Sequence, residues 1–544
     1  MNRTFDTDVQ LLKYKVLKAV SKRAFDGTLQ DSYYEIPKEI IPGKQATMRC
    51  CVYKERAILG ERVHMAMGGN PDNPNVIEVI DIACDECPVH RISVSESCRG
   101  CLAHRCQNAC PRGAISFVDR RATIDHTKCV SCGRCAQVCP YGAIQEQVRP
   151  CERSCKVGAI AMNQDQTAEI NNDKCISCGS CVYQCPFGAI VDKSFILDAI
   201  QILKESDQNQ KYKVYAVIAP AISSQFSYAK IGQVVTGIKK LGFHGVVEAA
   251  LGADMTSYAE SAELAEKGFL TSSCCPAFVT YVEKFFPKMA EHISHNLSPM
   301  AQISKYIKET DPTGKVIFIG PCTAKKMEVK KETVAPYVDC VLTFEELQAL
   351  LDSQDIAPEN LEESLLDNAS YYGRIFARSG GLSAAVEEAL KEQNIDFTVK
   401  PEICDGIEQC KVALLKAGRG LLQANFIEGM ACIGGCIGGA ACLTHGPKDK
   451  SEVDKYGKLA FEKGILDALT ATNFRNRNKI LSDCVERLQS PGRPVCFAAF
   501  FQGENVTISL RLACGGCIFP GIWYNKESED ADVPCTGVPV LFYE

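Results

Sequence analysis

Three segments of this chain close with one pattern, Cys-Pro, a variable residue and Gly-Ala-Ile, which begins at Cys110, Cys139 and Cys185. Segments 129–139 and 175–185 both read C-x2-C-x2-C-x3-C-P, and segment 98–110 reads C-x2-C-x4-C-x3-C-P. A repeat of this kind indicates internal duplication. Such close spacing allows only tight loops that turn several sulfur atoms toward one centre, so bound metal is expected to dominate the fold of this region.

This spacing is that of bacterial ferredoxins, in which three cysteines of one loop bind a four-iron cluster and the fourth, followed by Pro, reaches the neighbouring cluster. Reciprocal pairing therefore predicts two ligand sets between residues 98 and 139. The first set consists of Cys98, Cys101, Cys106 and Cys139. The second set consists of Cys110, Cys129, Cys132 and Cys135.

A degenerate repeat at 151–160 places Cys155 where the other repeats have their closing cysteine. Cys155 is therefore expected to complete a third cluster with three cysteines of the last repeat, Cys175, Cys178 and Cys181. The cysteines left over are Cys151 and Cys185, and the upstream C-x2-C pair would bring this set to four by adding Cys84 and Cys87. The region then holds three or four accessory four-iron clusters. A structural pair or a separate metal site in the upstream pair is the alternative.

The chain has 32 cysteines, which would form disulfides only in an oxidising compartment. Its first ten residues include two acidic side chains and lack the apolar core and cleavage site of a signal peptide. No apolar run approaches the roughly 20 residues that cross a bilayer, and a formal net charge of -6 argues against broad nucleic-acid binding. These features predict a cytoplasmic protein with metal-bound cysteines and with neither a membrane nor a nucleic acid as partner.

The second half of the chain alternates short apolar runs with longer stretches of helical spacing, which predicts an α/β domain. The predicted strands are 214–218, 269–271, 316–319 and 421–426. Ligands of open α/β sheets gather beyond the carboxyl ends of the strands, and three cysteine motifs follow three of these strands. The motifs are Thr271-Ser-Ser-Cys-Cys-Pro276, Gly320-Pro-Cys-Thr-Ala-Lys-Lys-Met-Glu328 and Glu428-Gly-Met-Ala-Cys-Ile-Gly-Gly-Cys436. They supply four thiolates for another four-iron cluster and leave Cys274 free; the four are Cys275, Cys322, Cys432 and Cys436.

Jointly, these motifs resemble the catalytic domain of the FeFe (iron-only) hydrogenases over about residues 211–445. The resemblance implies an H-cluster, in which the four cysteines hold a 4Fe-4S cluster and Cys436 also bridges to a diiron subsite with CO, cyanide and a dithiolate bridge. It implies that Cys274 is the first proton carrier, that Lys325 donates to a cyanide, and that Met430 lies beside the diiron unit. A buried cysteine, a surface lysine and a core methionine are the respective alternatives.

The same resemblance implies a proton path toward the surface. Glu260 would take the proton from Cys274, Ser298 would bridge to Glu263, and Lys267 stands near the surface where an arginine is usual. The two glutamates are three residues apart, which places them on one face of a helix. Two solvated glutamates on an exposed helix are the alternative.

Some features depart from the better-known family members. Gly320 precedes Pro-Cys where those members have Met, and the third motif continues to Cys442 without the familiar GGGQP ending. The chain thus resembles a less familiar branch, group B, from which rate, preferred direction and oxygen sensitivity do not transfer. Near the C-terminus, Cys514-Gly-Gly-Cys517 could form a metal knuckle with further ligands among Cys442, Cys484, Cys496 and Cys535.

The expected fold is an α/β catalytic domain with strand-end cysteine ligands, preceded by α+β ferredoxin-like iron–sulfur modules. Five regions are expected. Residues 1–80 have an unclear role but contain an amphipathic helix, and residues 81–195 form the ferredoxin-like modules. A linker helix at 196–210, the catalytic domain at 211–445 and an extension at 446–544 follow. The expected activity is reversible oxidation of H2 and reduction of protons, with ferredoxin or a similar electron carrier and hydrogenase maturation proteins as partners. The alternative is a hydrogenase-like iron–sulfur protein acting as electron carrier, assembly factor or redox or H2 sensor.

Overall fold

The computed structural model describes residues 3–472 and four short strands between residues 508 and 524. The N-terminal region contains the helices α1 (Asp8–Asp26), α2 (Leu29–Ser32), α3 (Ile36–Ile40) and α4 (Val52–Ala66). The predicted amphipathic helix is confirmed as α1. It begins where the Thr7 hydroxyl accepts a hydrogen bond from the Gln10 amide at 3.3 Å, and it ends at Gly27, which has a φ of 73°. Its buried face includes Val16 and Val20.

Two ferredoxin-like modules follow. The outer module begins with β1 (Ile77–Val79). The inner module then consists of β2 (Ile92–Val94), α5 (Arg105–Asn108), β3 (Ile115–Val118), β4 (Arg121–Ile124), α6 (Arg134–Gln137) and β5 (Ile144–Glu146). The outer module resumes with α7 (Pro150–Ser154), β6 (Ile160–Met162), β7 (Ala168–Ile170), α8 (Ser180–Gln184) and β8 (Ile190–Asp192).

Strand pairing shows that one module is inserted into the other. In the inner module β2 pairs with β5 and β3 with β4, and in the outer module β1 pairs with β8 and β6 with β7, all antiparallel. The segment that enters the inner module and the segment that leaves it contact each other, since Arg149 Nε donates a hydrogen bond to the Pro88 carbonyl oxygen at 3.3 Å. The duplicated region therefore contains two copies of one layout, nested and not in tandem.

An α/β domain contains the catalytic motifs. Its first elements are α9 (Ile196–Glu205), β9 (Val214–Ile218), α10 (Ile231–Lys240), β10 (Gly245–Glu248), α11 (Ala249–Lys267), β11 (Leu270–Thr271), α12 (Pro276–Phe285), α13 (Pro299–Thr310) and β12 (Lys315–Gly320). The next are α14 (Ala324–Glu328), β13 (Cys340–Thr343), α15 (Phe344–Ser353), α16 (Tyr371–Ile375), α17 (Gly381–Glu392), β14 (Pro401–Asp405), α18 (Ile407–Ala417) and β15 (Phe426–Met430). Two more helices follow, α19 (Asp449–Lys458) and α20 (Ile465–Thr472).

Two parallel sheets form this domain, with the strand orders β10-β9-β12-β13 and β11-β15-β14. The strands predicted at 214–218, 269–271 and 316–319 are confirmed. The strand predicted at 421–426 is wrong, because β15 begins at Phe426, where the predicted run ends. Leu421 is 67% exposed, whereas every residue of β15 is buried between its two parallel neighbours.

Buried ion pairs join the N-terminal helix, the outer module and the α/β domain. Lys326 Nζ lies 3.0 Å from both Asp192 and Glu346, and Lys13 Nζ lies 2.5 Å from Asp192 and from Glu345. Helix α9 was expected to be a linker, yet its apolar face is buried, and α1 contacts both α9 and α15. These regions are therefore fixed to one another in one unit, residues 1–468.

The expected extension at 446–544 is divided. Residues 446–468 belong to the first unit, where Tyr456 donates a hydrogen bond to Glu248 and Asp454 pairs with Arg378 at 2.6 Å. The second unit contains two antiparallel strand pairs, β16 (Ile508–Leu510) with β19 (Ile522–Tyr524) and β17 (Ala513–Cys514) with β18 (Cys517–Ile518). The side chains of the predicted cysteine knuckle lie outside the described residues. In the part of the chain that is described, no helix has the length and apolar character to cross a membrane.

Candidate metal centre

The three cysteine motifs of the α/β domain converge on one cavity. Cys274 and Cys275 follow β11, Cys322 follows β12, and Cys432 and Cys436 follow β15. Both sheets direct the carboxyl ends of these strands toward the same place. The cavity is lined by all five cysteines together with Lys325, Met430 and Phe318.

The sulfur atoms of this cavity influence one another. Burial, and after it the neighbouring thiol of Cys275, raise the pKa of Cys322 to about 11 and that of Cys436 to about 12. Cys436 exposes surface, but that surface faces the cavity and protein atoms surround it. Four crowded thiolates without a cation would be unstable, whereas metal binding deprotonates thiols outright. The donor set therefore fits a four-iron cluster, which requires four thiolates.

Lys325 is a buried cation at the wall of the cavity. Its Nζ lies 2.6 Å from Glu328, 2.9 Å from the Ser298 hydroxyl and 3.4 Å from the Cys274 carbonyl oxygen. Burial opposes its charge, but Glu328 more than compensates, so the pKa of Lys325 is raised. The predicted surface alternative is therefore wrong, and Lys325 offers a positive charge to an anionic ligand in the cavity.

Gly320 is the last residue of β12, and Phe318 lies two residues earlier on the same face of the strand. A Cβ atom at position 320 would lie 2.6 Å from the Phe318 ring and 3.2 Å from the Ala219 side chain. The Phe318 ring thus occupies the space that a longer side chain at position 320 would enter. Met430, at the end of β15, closes another part of the apolar wall.

Cys274 and Glu260 are both buried beside this cavity. Burial raises the pKa of the Cys274 thiol well above its usual value, and Glu260 raises it further. Burial raises the pKa of Glu260 to about 8. The Ser294 hydroxyl and the Ser273 amide lower it in part, although neither reaches hydrogen-bond geometry, and both carboxyl oxygens of Glu260 are without a hydrogen-bond partner among the described residues. A buried carboxyl without partners is costly, which makes Glu260 a candidate functional group.

Glu263 continues from Glu260 to the surface. Its Oε2 accepts hydrogen bonds from the Ser294 hydroxyl at 3.1 Å and from the Asn296 amide at 2.8 Å. Its Oε1 lies 2.7 Å from Lys267 Nζ and 2.6 Å from His295 Nδ1. Burial alone would raise the pKa of Glu263, but Lys267 and His295 lower it, so this carboxylate is ionised where Glu260 is neutral.

The predicted role of Ser298 is wrong. Ser298 caps α13 through the Ala301 amide at 3.5 Å, and its hydroxyl accepts a hydrogen bond from Lys325 and does not reach Glu263. Ser294 occupies the bridging position between the two glutamates. Sequence reasoning also missed His295, and the signal was the polar run Ser294-His-Asn296 next to the predicted serine.

The structure brings most accessory cysteines next to members of their predicted sets. Cys98, Cys101, Cys106 and Cys139 line one cavity of the inner module. Cys135 has Cys129 and Cys110 as neighbours in the same core. Cys132, the remaining member of this predicted set, is exposed. In the outer module, Cys181 has Cys155, Cys175 and Cys178 as neighbours. Another outer cavity is lined by Cys84, Cys87, Cys151 and Cys185.

The outer module connects to the catalytic cavity through its sulfur atoms. Cys178 lies close enough to Cys322 and Cys432 to affect the pKa of each of these thiols. On its other side, Cys181 has Cys151 as a neighbour. The two outer cysteine sets therefore form a series that ends at the cavity. Within residues 3–472, no three His, Cys, Asp or Glu side chains surround a position for a single metal ion.

This fold and these sites define an iron–sulfur protein in which ferredoxin-like modules precede an α/β domain with a cysteine-lined cavity. Residues 212–440 match the family model described as iron only hydrogenase large subunit, C-terminal domain. Residues 97–143 match a 4Fe-4S dicluster domain and residues 168–191 a 4Fe-4S binding domain. The chain belongs to the iron-only hydrogenase family, as the following relatives also indicate.

Two hydrogenases and an assembly factor are among the similar proteins. Iron hydrogenase 1 of Clostridium pasteurianum is 28% identical over 407 residues, which cover 63% of this chain and 69% of that protein. The periplasmic Fe hydrogenase large subunit of Nitratidesulfovibrio vulgaris is 30% identical over 375 residues, 58% of this chain and 85% of that protein. The cytosolic Fe-S cluster assembly factor NAR1 of Eremothecium gossypii is 34% identical over 134 residues, 23% of this chain and 30% of that protein.

Proposed function

We propose that the chain is an FeFe hydrogenase that interconverts H2 with protons and electrons. The observation that carries this proposal is the buried pair of Cys274 and Glu260 between the cysteine-lined cavity and Glu263. A scaffold for a four-iron cluster alone needs no proton path. A carboxyl held in the interior without hydrogen bonds costs about 1–3 kcal/mol or more, and proton transfer gives a reason for that cost.

Cys275, Cys322, Cys432 and Cys436 would hold the proposed H-cluster, which includes a diiron subsite. When bound, that subsite, with its CO, cyanide and dithiolate ligands, supplies the chemistry of H2 activation. Lys325 provides a fixed positive charge for an anionic ligand of the subsite, supported by its ion pair with Glu328. Phe318 and Met430 keep water away from the cavity wall.

The proton follows Cys274, Glu260, Ser294 and Glu263 in the proposed path. Cys274 holds its proton as a neutral thiol, because burial disfavours the thiolate. Glu260, with a pKa of about 8, holds or releases a proton near neutral pH. Glu263 is ionised and contacts His295, whose side chain is 74% exposed, so the path ends at solvent.

Electrons travel through the proposed accessory 4Fe-4S clusters. Two of these clusters would be held by the two cysteine sets of the inner module. The third would be held by Cys155, Cys175, Cys178 and Cys181, and Cys178 lies next to Cys322. The partner is ferredoxin or a similar electron carrier, and maturation proteins insert the diiron subsite.

A second candidate is a hydrogenase-like iron–sulfur protein without the diiron subsite, such as an assembly factor. The similarity of 134 residues to NAR1 favours it. It predicts a four-iron cluster in the same cavity but gives no reason for Cys274, Glu260 and Lys325 to be buried beside it.

Infrared spectroscopy distinguishes the two candidates. The protein is matured with the diiron cofactor, loaded with iron and tested for H2 evolution with reduced methyl viologen. CO and cyanide bands together with H2 evolution are expected. Their absence from fully loaded protein, while a known hydrogenase matured in parallel shows both, would reject the enzyme and favour the assembly factor.

A further inference from the structure

The outer module repeats the ligand layout of the inner module with four cysteines, of which only Cys185 lies inside an iron–sulfur family match. Cys84 and Cys87 lie upstream of both matched segments, which begin at residues 97 and 168. They nevertheless line one cavity with Cys151 and Cys185.

Hydrogen bonds to sulfur match between the modules. In the inner module the Ala122 amide of β4 donates to Cys98 at 3.4 Å, and in the outer module the Ala168 amide of β7 donates to Cys84 at 3.4 Å. The equivalent positions Cys110 and Cys155 also match, because the Ala114 amide donates to Cys110 at 3.3 Å and the Ala159 amide donates to Cys155 at 3.2 Å. Cys84 is therefore the structural counterpart of Cys98, separated from the rest of its module by the inserted one.

A buried arginine lies beside this cavity without an anionic partner. Arg62 is 6% exposed, its Nη2 donates to the Phe187 carbonyl oxygen at 3.1 Å, and its Nε has no partner within the described residues. No carboxylate in the described part of the chain forms an ion pair with it, and Cys185 is the neighbour that favours its charged form. Gly188 makes this approach possible, since a Cβ there would lie 2.4 Å from Nη2.

We propose that Cys84, Cys87, Cys151 and Cys185 bind a fourth accessory 4Fe-4S cluster and that Arg62 is its buried counter-ion. A buried guanidinium requires a nearby negative charge, and four thiolates around a cluster provide it. The positive charge favours the reduced cluster, because reduction adds an electron at this position. Arg62 is thus a positioning residue for charge, and the cluster neighbours the set of Cys181 through Cys151.

Iron counting tests the cluster in the full chain, produced without maturation proteins so that only four-iron clusters form. Five such clusters contain about twenty irons, and four contain about sixteen. About twenty irons are expected, with a loss of about four in the Cys84→Ala/Cys87→Ala variant. The matched control is Cys50→Ala/Cys51→Ala, which removes an exposed cysteine pair of the same region and should lose none. About sixteen irons in the wild type would overturn the proposal. This outcome does not depend on whether the double variant folds.

A redox titration followed by electron paramagnetic resonance tests Arg62. In Arg62→Leu one cluster should move to a lower potential, and Arg62→Lys should restore most of that shift because it restores the charge. Unchanged potentials in Arg62→Leu would refute the counter-ion role. Neither measurement needs the diiron subsite or H2 turnover, so the result is independent of the proposed hydrogenase activity.

A different observation points to the place where the electron carrier binds. Residues 97–143 carry seven Arg or Lys and two Asp side chains, although the whole chain has a net charge of -6. Arg99, Arg105 and Tyr141 line the cavity of the inner cysteines, and Leu102 between the two arginines is 96% exposed. Neither of these arginines forms an ion pair within the described residues. We propose that this surface, around Arg99, Leu102, Arg105 and Tyr141, binds a small acidic one-electron carrier, a proposal that rests on the proposed function.

Charge reversal tests this surface with a two-cluster bacterial ferredoxin as the probe. Arg99→Glu/Arg105→Glu should weaken ferredoxin binding at least tenfold in calorimetry and remove most of its salt dependence, whereas Arg419→Glu on the α/β domain should not. H2 evolution with methyl viologen should be unchanged in both variants, which separates this result from failure of the hydrogenase assignment. Equal ferredoxin affinity of both variants and the wild type would overturn the proposal.

Discussion

Replacement of Glu260 by Gln is expected to stabilise the protein while it impairs turnover. The carboxyl is fully buried, both of its oxygens are without a hydrogen-bond partner among the described residues, and burial raises its pKa from 4.5 to about 8. In the unfolded chain the same group ionises near pH 4.5. Between these two pH values the folded state binds the proton that the unfolded state has lost, so stability falls as pH rises.

The size of this effect follows from the two pKa values. One pKa unit corresponds to about 1.4 kcal/mol, so the carboxyl reduces the free energy of unfolding by about 3 kcal/mol at pH 7 and by almost nothing below about pH 4. Glutamine has no such titration and recovers this stability at pH 7. Turnover should nevertheless fall roughly 100-fold or more, the usual contribution of a positioned proton-transfer group.

Thermal melts of the α/β domain at pH 5 and pH 7, together with H2 evolution driven by reduced methyl viologen, measure both effects. The stability gain of Glu260→Gln over the wild type should be larger at pH 7 than at pH 5, which removes any constant cost of burying the amide. Glu263→Gln is the control, because it loses an ionised group bound by Lys267 and His295 and should lower both stability and turnover. Equal gains at both pH values, or unchanged turnover of Glu260→Gln, would refute the reasoning.

Three further variants test other contacts. Cys274→Ala should reduce turnover roughly 100- to 10,000-fold and leave the infrared bands of the matured protein in place; loss of the bands would instead indicate a ligand role. Ser294→Ala should reduce turnover more than Ser298→Ala in parallel assays, since only Ser294 contacts Glu263. Lys326→Met should destabilise the protein by about 3–5 kcal/mol in melting experiments, because it leaves Asp192 and Glu346 buried together. The control is Lys391→Met, which removes an exposed ion pair and should change stability by less than about 1 kcal/mol.

Much of the catalytic cavity was predictable because each motif follows a strand. Parallel strands bring their carboxyl ends together, so Cys275 and Cys322 could be placed from strand positions alone. The strand before Cys432 was predicted too early, since β15 begins at Phe426. The choice between Ser294 and Ser298 could not be made in this way. Both serines occupy the same connection between α12 and α13, and only the position of the helix cap decides which hydroxyl reaches Glu263.

The nested modules were not predictable from spacing. The repeats placed two complete ligand sets between Cys87 and Cys151, but their spacing did not show how the strands pair around them. Only the pairing of β1 with β8 around the inner module reveals this arrangement. The burial of Arg62 was likewise hidden, because its environment comes from residues more than 100 positions away in the sequence.

The insertion makes the inner module a removable part. Its two chain crossings meet at Pro88 and Arg149, and the strands next to them, β2 and β5, pair with each other. A short turn joining residues 88 and 149 would therefore close the outer module without stretching any of its strands. Deletion or exchange of the inner module would change the number of iron–sulfur clusters in the proposed electron path. The catalytic cavity and the proposed proton path would keep their geometry.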